Sequence, residues 1–343
     1  MVSLPVWLFA IVAIFAVFGL FDRVFVPGVR WFFRTRANRA IDELNNRLHL
    51  RIQPFKLTKR QALVDQLMYD AEIIRAVEEM AEETGAPREV VMAKAAGYAK
   101  EIVPHFNSYA YFNIGTRLAR WVSTLIYRVR LGYSDDEALK NVDPEATVIF
   151  VMNHRSNMDY ILVTYMASSS ATLSYAVGEW ARIWLLETLI KAMGAYFVRR
   201  GSGNDLYRKV LARYVRMATR QGVTQAVFPE GGLSRDGALR EPKLGLLSYV
   251  VSDFSADDQR DVVFVPVGVN YDRVLEDRIL TSRMEKEITG RSFRSGPAGV
   301  IGFAWRNLKL RLQGKLFRYG YACVSFGTPV SLAQWTAKRK VNL

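Results

Sequence analysis

The sequence is poor in the residues that build disulfides and metal sites. It has one cysteine and three histidines among 343 residues. Cys323 cannot form an internal disulfide, and its place in the apolar run 321–326 predicts a buried, inert thiol in a reducing compartment. His49, His105 and His154 are scattered without metal-ligand spacing, so we predict no metal and no other resident cofactor.

Two common catalytic signatures are also missing. The stretch Gly232-Leu233-Ser234-Arg235-Asp236 lacks the last glycine of the nucleophile elbow that presents serine in many hydrolases. No glycine-rich loop ends in the lysine that binds nucleotide phosphates.

Half of the residues are apolar, and 19 Phe with seven Trp argue against disorder. The chain is therefore expected to fold around a large core.

Charge is absent from the start of the chain. Residues 4–21 form 18 uncharged, almost wholly apolar positions, or about 27 Å of helix. A signal peptide would have a Lys or Arg before its apolar run, and this chain has none there. Gly19-Leu20-Phe21-Asp22 is also a poor cleavage site. We predict a transmembrane anchor at 1–21. The arginines that follow it predict a cytoplasmic location for the rest of the chain, at the inner membrane.

Positive charge dominates two segments of a chain whose net charge is +14. Residues 22–60 hold ten Lys or Arg against three Asp or Glu, and residues 291–343 hold ten against none. Anionic lipid or nucleic acid would both suit such segments. The apolar run before the first segment favours lipid headgroups, and no nucleic-acid recognition motif is present. We therefore predict membrane lipid and no nucleic acid as a partner.

Hydrophobic periodicity divides the remaining chain into two parts. Helical patterns at 58–83, 87–102 and 109–130 predict a small helical domain at 58–130, after a basic juxtamembrane segment at 22–57. Short apolar runs then alternate with helical segments, which predicts an α/β sheet covered on both faces. The predicted strands are 147–153, 175–178, 195–200, 225–229, 262–270 and 321–327. We place this domain at 131–335, followed by a basic tail at 336–343.

The first candidate site follows the strand at 147–153. His154 comes directly after this strand, where ligands gather in α/β proteins, and Asp159 lies five residues later in the predicted next helix. A carboxylate that bonds one imidazole nitrogen fixes the tautomer and leaves the other nitrogen free to take a proton. The pair is a candidate for general-base catalysis, although a chance histidine at a helix start fits the same spacing.

The second candidate site is an arginine pair at a strand end. Arg199 and Arg200 precede Gly201, and guanidinium groups bind phosphate through two parallel hydrogen bonds. An ordinary charged turn fits these residues as well.

The third candidate site is the turn after the strand at 225–229. Its glycines let backbone N–H groups approach an anion, its carboxylate suits substrate hydroxyls, and two side chains add positive charge. The residues concerned are Glu230, Gly231, Gly232, Ser234, Arg235 and Lys243. A plain strand-turn is the alternative. The run 265–274, which begins Val265-Pro266, taken alone indicates a core strand.

In order, these blocks resemble the motifs of the glycerolipid acyltransferase family: His-x4-Asp, Gly-x-Phe-x-Arg, Phe-Pro-Glu-Gly and Val-Pro. The segments 154–160, 197–200, 230–235 and 242–245 are more similar to the glycerol-3-phosphate acyltransferase branch than to the lysophosphatidate branch. The resemblance covers about 145–332. It implies a central mixed sheet covered by helices.

The resemblance also implies direct transfer of a fatty acyl group from acyl-CoA or acyl-carrier protein to the sn-1 hydroxyl of glycerol-3-phosphate. His154 would remove the hydroxyl proton and Asp159 would hold the imidazole. Arg199, Arg200, Arg235 and Lys243 would be phosphate contacts, and Glu230, Gly231, Gly232 and Ser234 would belong to the acceptor site.

Two alternatives remain open from the sequence. Leu233 stands where the family usually has arginine, so 1-acylglycerol-3-phosphate or another lysolipid is an alternative acceptor. A noncatalytic, membrane-bound lipid-binding protein is the alternative of another class, against which the intact His154 and Asp159 argue.

Overall fold

The computed structural model describes residues 48, 50–168, 170–178, 184–199, 203–234, 236–255, 260–277 and 319–341. The chain divides into two compact units, 1–48 and 49–343, and the described residues belong almost entirely to the second. The predicted anchor at 1–21 and most of the segment 22–57 lie outside the described residues. Within the part that is described, no helix is long and apolar enough to cross a membrane.

A group of helical segments precedes the strands of the sheet in the chain. Its members are α1 (Pro54–Leu57), α2 (Arg60–Met68), α3 (Ala71–Thr84), α4 (Arg88–Ile102), a π-helical turn (Ala110–Gly115) and α5 (Thr116–Ile126). The single helix predicted at 58–83 is divided in two, because the Asp70 carboxylate accepts a hydrogen bond from the backbone N–H of Glu72 and caps α3. Gly85, in the left-handed region at φ 65°, ends α3.

The strands alternate with the remaining helices. In chain order these elements are β1 (Arg128–Ser134), α6 (Asp136–Lys140), β2 (Thr147–Met152), α7 (Met158–Ala167), β3 (Ser174–Gly178), α8 (Trp184–Ala192), β4 (Tyr196–Val198), α9 (Asp205–Arg220), β5 (Gln225–Val227), α10 (Gly245–Val251), β6 (Val262–Tyr271), β7 (Tyr321–Phe326), β8 (Val330–Ser331) and α11 (Leu332–Arg339).

The strands form one mixed sheet with the order β1-β7-β6-β2-β5-β3-β4, and β8 pairs with β6. Strands β2 to β6 run parallel to one another, whereas β7 is antiparallel to β6 and parallel to β1. The carboxyl ends of β2, β3, β4, β5 and β6 therefore lie along one edge of the sheet. The predicted α/β class with a mixed sheet is confirmed.

Both faces of the sheet are buried. Along β2, Val148 and Phe150 belong to one apolar core and Ile149 to the other, as the two-residue period of a strand requires. The core around Ile149 also contains side chains of α2, α3 and α4, such as Leu67 and Ile73. The helices at 58–102 thus share a core with the sheet.

The boundary predicted at residue 131 falls within β1. We predicted a helix through residue 130, but α5 ends at Ile126 and Tyr127 is extended, with φ −125° and ψ 159°. The Tyr127 side chain is buried and its hydroxyl donates to the carbonyl of Arg273, 3.0 Å away. The buried Tyr127 side chain thus holds the start of β1, which pairs with β7 from Arg128 onward.

Lys56 of α1 is a buried cation inside this unit. Its Nζ donates to the Thr172 carbonyl at 2.9 Å and lies 4.5 Å from the Phe106 ring centroid and 5.6 Å from that of Tyr111. Burial lowers the pKa of Lys56 to about 7. Among the described residues, its Nζ contacts one carbonyl and two aromatic faces, so folding with Lys56 charged carries a desolvation cost.

Candidate active site

His154 and Asp159 are brought together at the carboxyl end of β2. Asn153 fixes the end of the strand, because its side-chain amide donates to the Val269 carbonyl and accepts from the Val269 N–H, at 2.9 and 2.7 Å. The chain then turns through 154–157 into α7, whose first turn carries Asp159. His154 Nδ1 lies 2.9 Å from Asp159 Oδ2. The contact that the spacing predicted is present.

Asp159 is fully buried and accepts hydrogen bonds on both oxygens. Its Oδ2 accepts from His154 Nδ1, from the Arg155 N–H at 2.7 Å and from the Ser156 N–H at 3.0 Å. Its Oδ1 accepts from the Tyr271 hydroxyl at 2.7 Å. An ionised carboxylate only accepts, so the proton of a neutral His154 lies on Nδ1. The lone pair is then on Nε2.

The other imidazole nitrogen is unoccupied. His154 Nε2 is buried and has no hydrogen-bond partner among the described residues. The ring is held by Phe228, with centroids 4.3 Å apart, and by the edge of Tyr160 at 5.5 Å. These contacts fix the orientation of the imidazole without using Nε2. A buried nitrogen with a free lone pair is ready to accept a proton from a bound hydroxyl.

Tyr271 supports the pair from β6, where the sequence predicted only a core strand. Burial, together with the Asp159 carboxylate, raises the pKa of Tyr271 well above its usual value of about 10. The phenol therefore keeps its proton and donates a hydrogen bond to Asp159 Oδ1.

Glu276 supports the turn between β2 and α7. Its carboxylate accepts from the Ser156 hydroxyl at 2.7 Å and from the Asn157 N–H at 3.0 Å. The Ser156 oxygen in turn accepts from the Met158 N–H at 3.1 Å. Sequence reasoning missed both Glu276 and Tyr271, because neither carries a local signal and each lies more than 100 residues from its partner.

Glu230 is buried and bonded to the backbone on both sides. Its Oε1 accepts from the His154 N–H at 3.1 Å and its Oε2 from the Arg240 N–H at 3.4 Å. It thus connects the turn after β5 to the turn that carries His154. We predicted that Glu230 would belong to the acceptor site. In the structure its carboxylate accepts a hydrogen bond from the backbone N–H of His154.

The turn after β5 is bound to the same place. The Ser234 N–H donates to the His154 carbonyl at 2.9 Å, and its hydroxyl donates to the Ala238 carbonyl at 2.7 Å. Gly231 has φ 63°, and a Cβ there would lie 3.1 Å from Cδ of Lys243, whose stem crosses the glycine. Gly232 is buried in the same turn. Lys243 is exposed, and its N–H donates to the Pro229 carbonyl at 2.7 Å.

Arg199 lies away from this cluster. Strand β4, which precedes it, is three strands from β2, roughly 14 Å across the sheet. Its guanidinium is bound by both oxygens of Glu101, at 2.9 and 2.6 Å, between the rings of Tyr98 and Tyr207. The hydrogen bonds with Glu101 raise the pKa of Arg199. Arg200 and Arg235, the other arginines predicted to contact phosphate, lie outside the described residues.

Comparison with known proteins finds similarity to acyltransferases. Residues 134–270 match the family model described as acyltransferase. A glycerol-3-phosphate acyltransferase of Aeromonas hydrophila subsp. hydrophila is 32% identical over 286 residues, which cover 81% of this chain and 33% of that protein. One of Xylella fastidiosa is 29% identical over 286 residues, covering 80% and 31%. The chain spans about a third of the length of these relatives.

A solved structure is also similar over much of the chain. The crystal structure of a 1-acyl-sn-glycerophosphate acyltransferase from Thermotoga maritima has 18% sequence identity and covers 82% of this chain and 96% of its own. The TM-score between the two structures is 0.37.

Proposed function

We propose that this chain transfers a fatty acyl group to the sn-1 hydroxyl of glycerol-3-phosphate, giving lysophosphatidate, since residues 134–270 match the family model described as acyltransferase. The observation that carries the proposal is the buried His154, which is held at Nδ1 by Asp159 and has no partner at Nε2 among the residues that the structure describes. The name shared by the relatives supports the acceptor. Acyl-CoA or acyl-carrier protein would be the donor.

The proposed reaction is a direct transfer without a covalent enzyme intermediate. His154 Nε2 takes the proton of the acceptor hydroxyl while its oxygen attacks the thioester carbonyl. The new ester C–O bond forms and the C–S bond breaks. The imidazolium then returns the proton to the leaving thiolate. During this step the Asp159 carboxylate stabilises the imidazolium, and Tyr271 and the N–H groups of Arg155 and Ser156 hold the carboxylate.

The phosphate of the acceptor requires positive charge near His154. Lys243 is an exposed cation on the turn that contacts His154, which favours it for this role. Arg240 was not predicted, but its guanidinium lies 3.5 Å from the carbonyl of Leu233, where the family usually has arginine. Arg200 and Arg235 remain candidates, whereas the ion pair with Glu101 would have to open for Arg199 to contribute.

The proposed location is the inner membrane, with a single anchor at 1–21 and the acyltransferase domain on the cytoplasmic side. It rests on the 18 uncharged positions at 4–21 and the arginines that follow them. This location would keep the site close to its lipid product.

An acceptor screen with the purified full chain tests the function. Radiolabelled glycerol-3-phosphate and lysophosphatidate are each supplied with palmitoyl-CoA, and labelled products are separated by thin-layer chromatography. We expect transfer to glycerol-3-phosphate. Transfer to lysophosphatidate alone would establish the alternative acceptor, and lipid binding without transfer to either would favour the noncatalytic alternative.

A matched pair of histidine variants tests the base. We expect His154→Ala to abolish transfer while the protein stays folded, and His105→Ala, the same change outside the site, to retain it. Substantial turnover by His154→Ala would exclude the proposed role. An acyl-enzyme burst before acceptor is added would contradict direct transfer.

A further inference from the structure

An apolar stripe on α5 and the preceding π-helical turn has no partner in the described structure. Ile114, Leu118 and Trp121 are 48%, 42% and 50% exposed. Their spacing of four and three residues puts them on one side of the helix, and the half-buried Leu125 continues the same line. Large side chains of this kind usually lie singly on a surface, so a continuous stripe indicates an interaction face.

Two arginines border this stripe. Arg117 and Arg120 are exposed, and neither forms an ion pair with a carboxylate in the part of the chain that the structure describes. Arg117 lies beside the stripe, three residues after Ile114 and four before Trp121, and Arg120 lies one turn later, between Arg117 and the buried face that Ala119 and Ser123 form. The helix thus has three faces: one packed on the protein, one apolar and exposed, one cationic and exposed.

The packed face connects this surface to the site. Helix α5 packs against α7, and the first turn of α7 carries Asp159. A surface in contact with the α5 stripe is therefore separated from the catalytic helix by a single helix, about 10 Å thick.

We propose that the α5 stripe lies in the interface of an anionic bilayer, with Leu118 and Trp121 at the level of the acyl chains and Arg117 and Arg120 among the headgroup phosphates. The inference rests on the proposed membrane location and adds the face that meets the lipid. An apolar stripe beside unpaired cations is the pattern of an interfacial helix, and Trp is favoured at that depth.

The charges favour lipid over a second copy of the chain. In a symmetric dimer both copies use the same patch, so one interface would contain Arg117 and Arg120 of both copies, in a chain of net charge +14. Anionic headgroups instead neutralise them. The bilayer is thus the occupant whose charge complements the border of the stripe.

Site-directed fluorescence on the full chain tests this placement. In a Cys323→Ser background, which removes the sole cysteine, a bimane label is attached at Trp121→Cys. The matched control is Val90→Cys, because Val90 is 58% exposed on a helix of the same unit, α4. Each protein is mixed with phosphatidylcholine vesicles with or without phosphatidylglycerol, prepared with or without brominated acyl chains.

We expect brominated, phosphatidylglycerol-containing vesicles to quench the label at 121 about twofold or more, and iodide to lose access to it, with neither change at 90. Replacing phosphatidylglycerol by phosphatidylcholine, or both arginines by glutamine, is expected to reduce this quenching. Equal iodide access at 121 and 90 in vesicle-bound protein would overturn the inference, as would protection at 121 that depends on protein concentration without lipid.

The outcome separates this inference from the proposed function. If the chain binds vesicles while position 121 stays in water, only the docking face is wrong. If the chain binds no vesicle, both the docking face and the proposed membrane location are wrong. Acyl transfer measured in detergent micelles is independent of both results.

Discussion

Replacing Asp159 by asparagine isolates the charge of the carboxylate from its shape. The position of Oδ2 is surrounded by three N–H donors, from His154, Arg155 and Ser156. The amide oxygen of asparagine must occupy this position, since an NH₂ group there would face three donors. The NH₂ then points to the Tyr271 hydroxyl, which can rotate and accept. We therefore expect Asp159→Asn to keep the imidazole orientation and the proton on Nδ1.

The expected loss comes from the transition state, in which His154 is an imidazolium. With charge centres about 4 Å apart, imidazolium and carboxylate attract by about 4 kcal/mol at an effective dielectric constant of about 20. Part of this remains, because the neutral amide oxygen still accepts from Nδ1. At 1.36 kcal/mol per factor of ten, we expect kcat to fall by about 10²–10³-fold. Where such a substitution instead imposes the wrong tautomer, the loss is about 10⁴-fold.

Steady-state acyl transfer and urea unfolding measure the two sides of this argument. The variant should keep KM for the acceptor and a free energy of unfolding within about 2 kcal/mol of the native protein, since relief of a buried charge offsets weaker hydrogen bonds. A fall in kcat of less than tenfold would show that the carboxylate charge has no part in the transition state. A fall of 10⁴-fold or more in a folded variant would refute the predicted amide orientation.

Three further substitutions probe groups around the pair and in the core. Tyr271→Phe removes a donor to the buried Asp159, and urea unfolding should show a loss of about 1.5–3 kcal/mol; an unchanged midpoint would contradict this contact. Glu276→Gln leaves the Ser156 hydroxyl without its acceptor, so kcat should fall about tenfold with KM unchanged; a rise in KM alone would assign Glu276 to binding. Lys56 has a pKa of about 7 in the folded chain against 10.5 usually, so the folded state binds fewer protons and stability should rise with pH between these values. Lys56→Met should flatten that rise, by at most about 5 kcal/mol, and an equally steep rise in the variant would place the titrating group elsewhere.

Most of the sheet could be predicted from the sequence, because each strand is a short apolar run bounded by turn residues. β1 was missed, because Arg128 and Arg130 alternate with apolar residues directly after an amphipathic helix and were assigned to that helix. That alternation is the signal that would have found an edge strand. The break between α2 and α3 was missed for a similar reason: the helical period continues through it, and only the cap at Asp70 marks it.

The chemistry of the site divides in the same way. His154 and Asp159 are five residues apart, so a strand end followed by a helical turn is enough to bring them together, and the sequence determined this pair. The partners of that pair depend on strand order. Tyr271 reaches Asp159 because β6 lies beside β2. Glu101 forms an ion pair with Arg199 because α4 packs near the end of β4. Local periodicity specifies each element, but the choice among distant polar partners follows from packing of the whole chain. Only the tertiary structure therefore decided that His154 Nε2 has no partner in the described part of the chain and that the guanidinium of Arg199 is paired with Glu101.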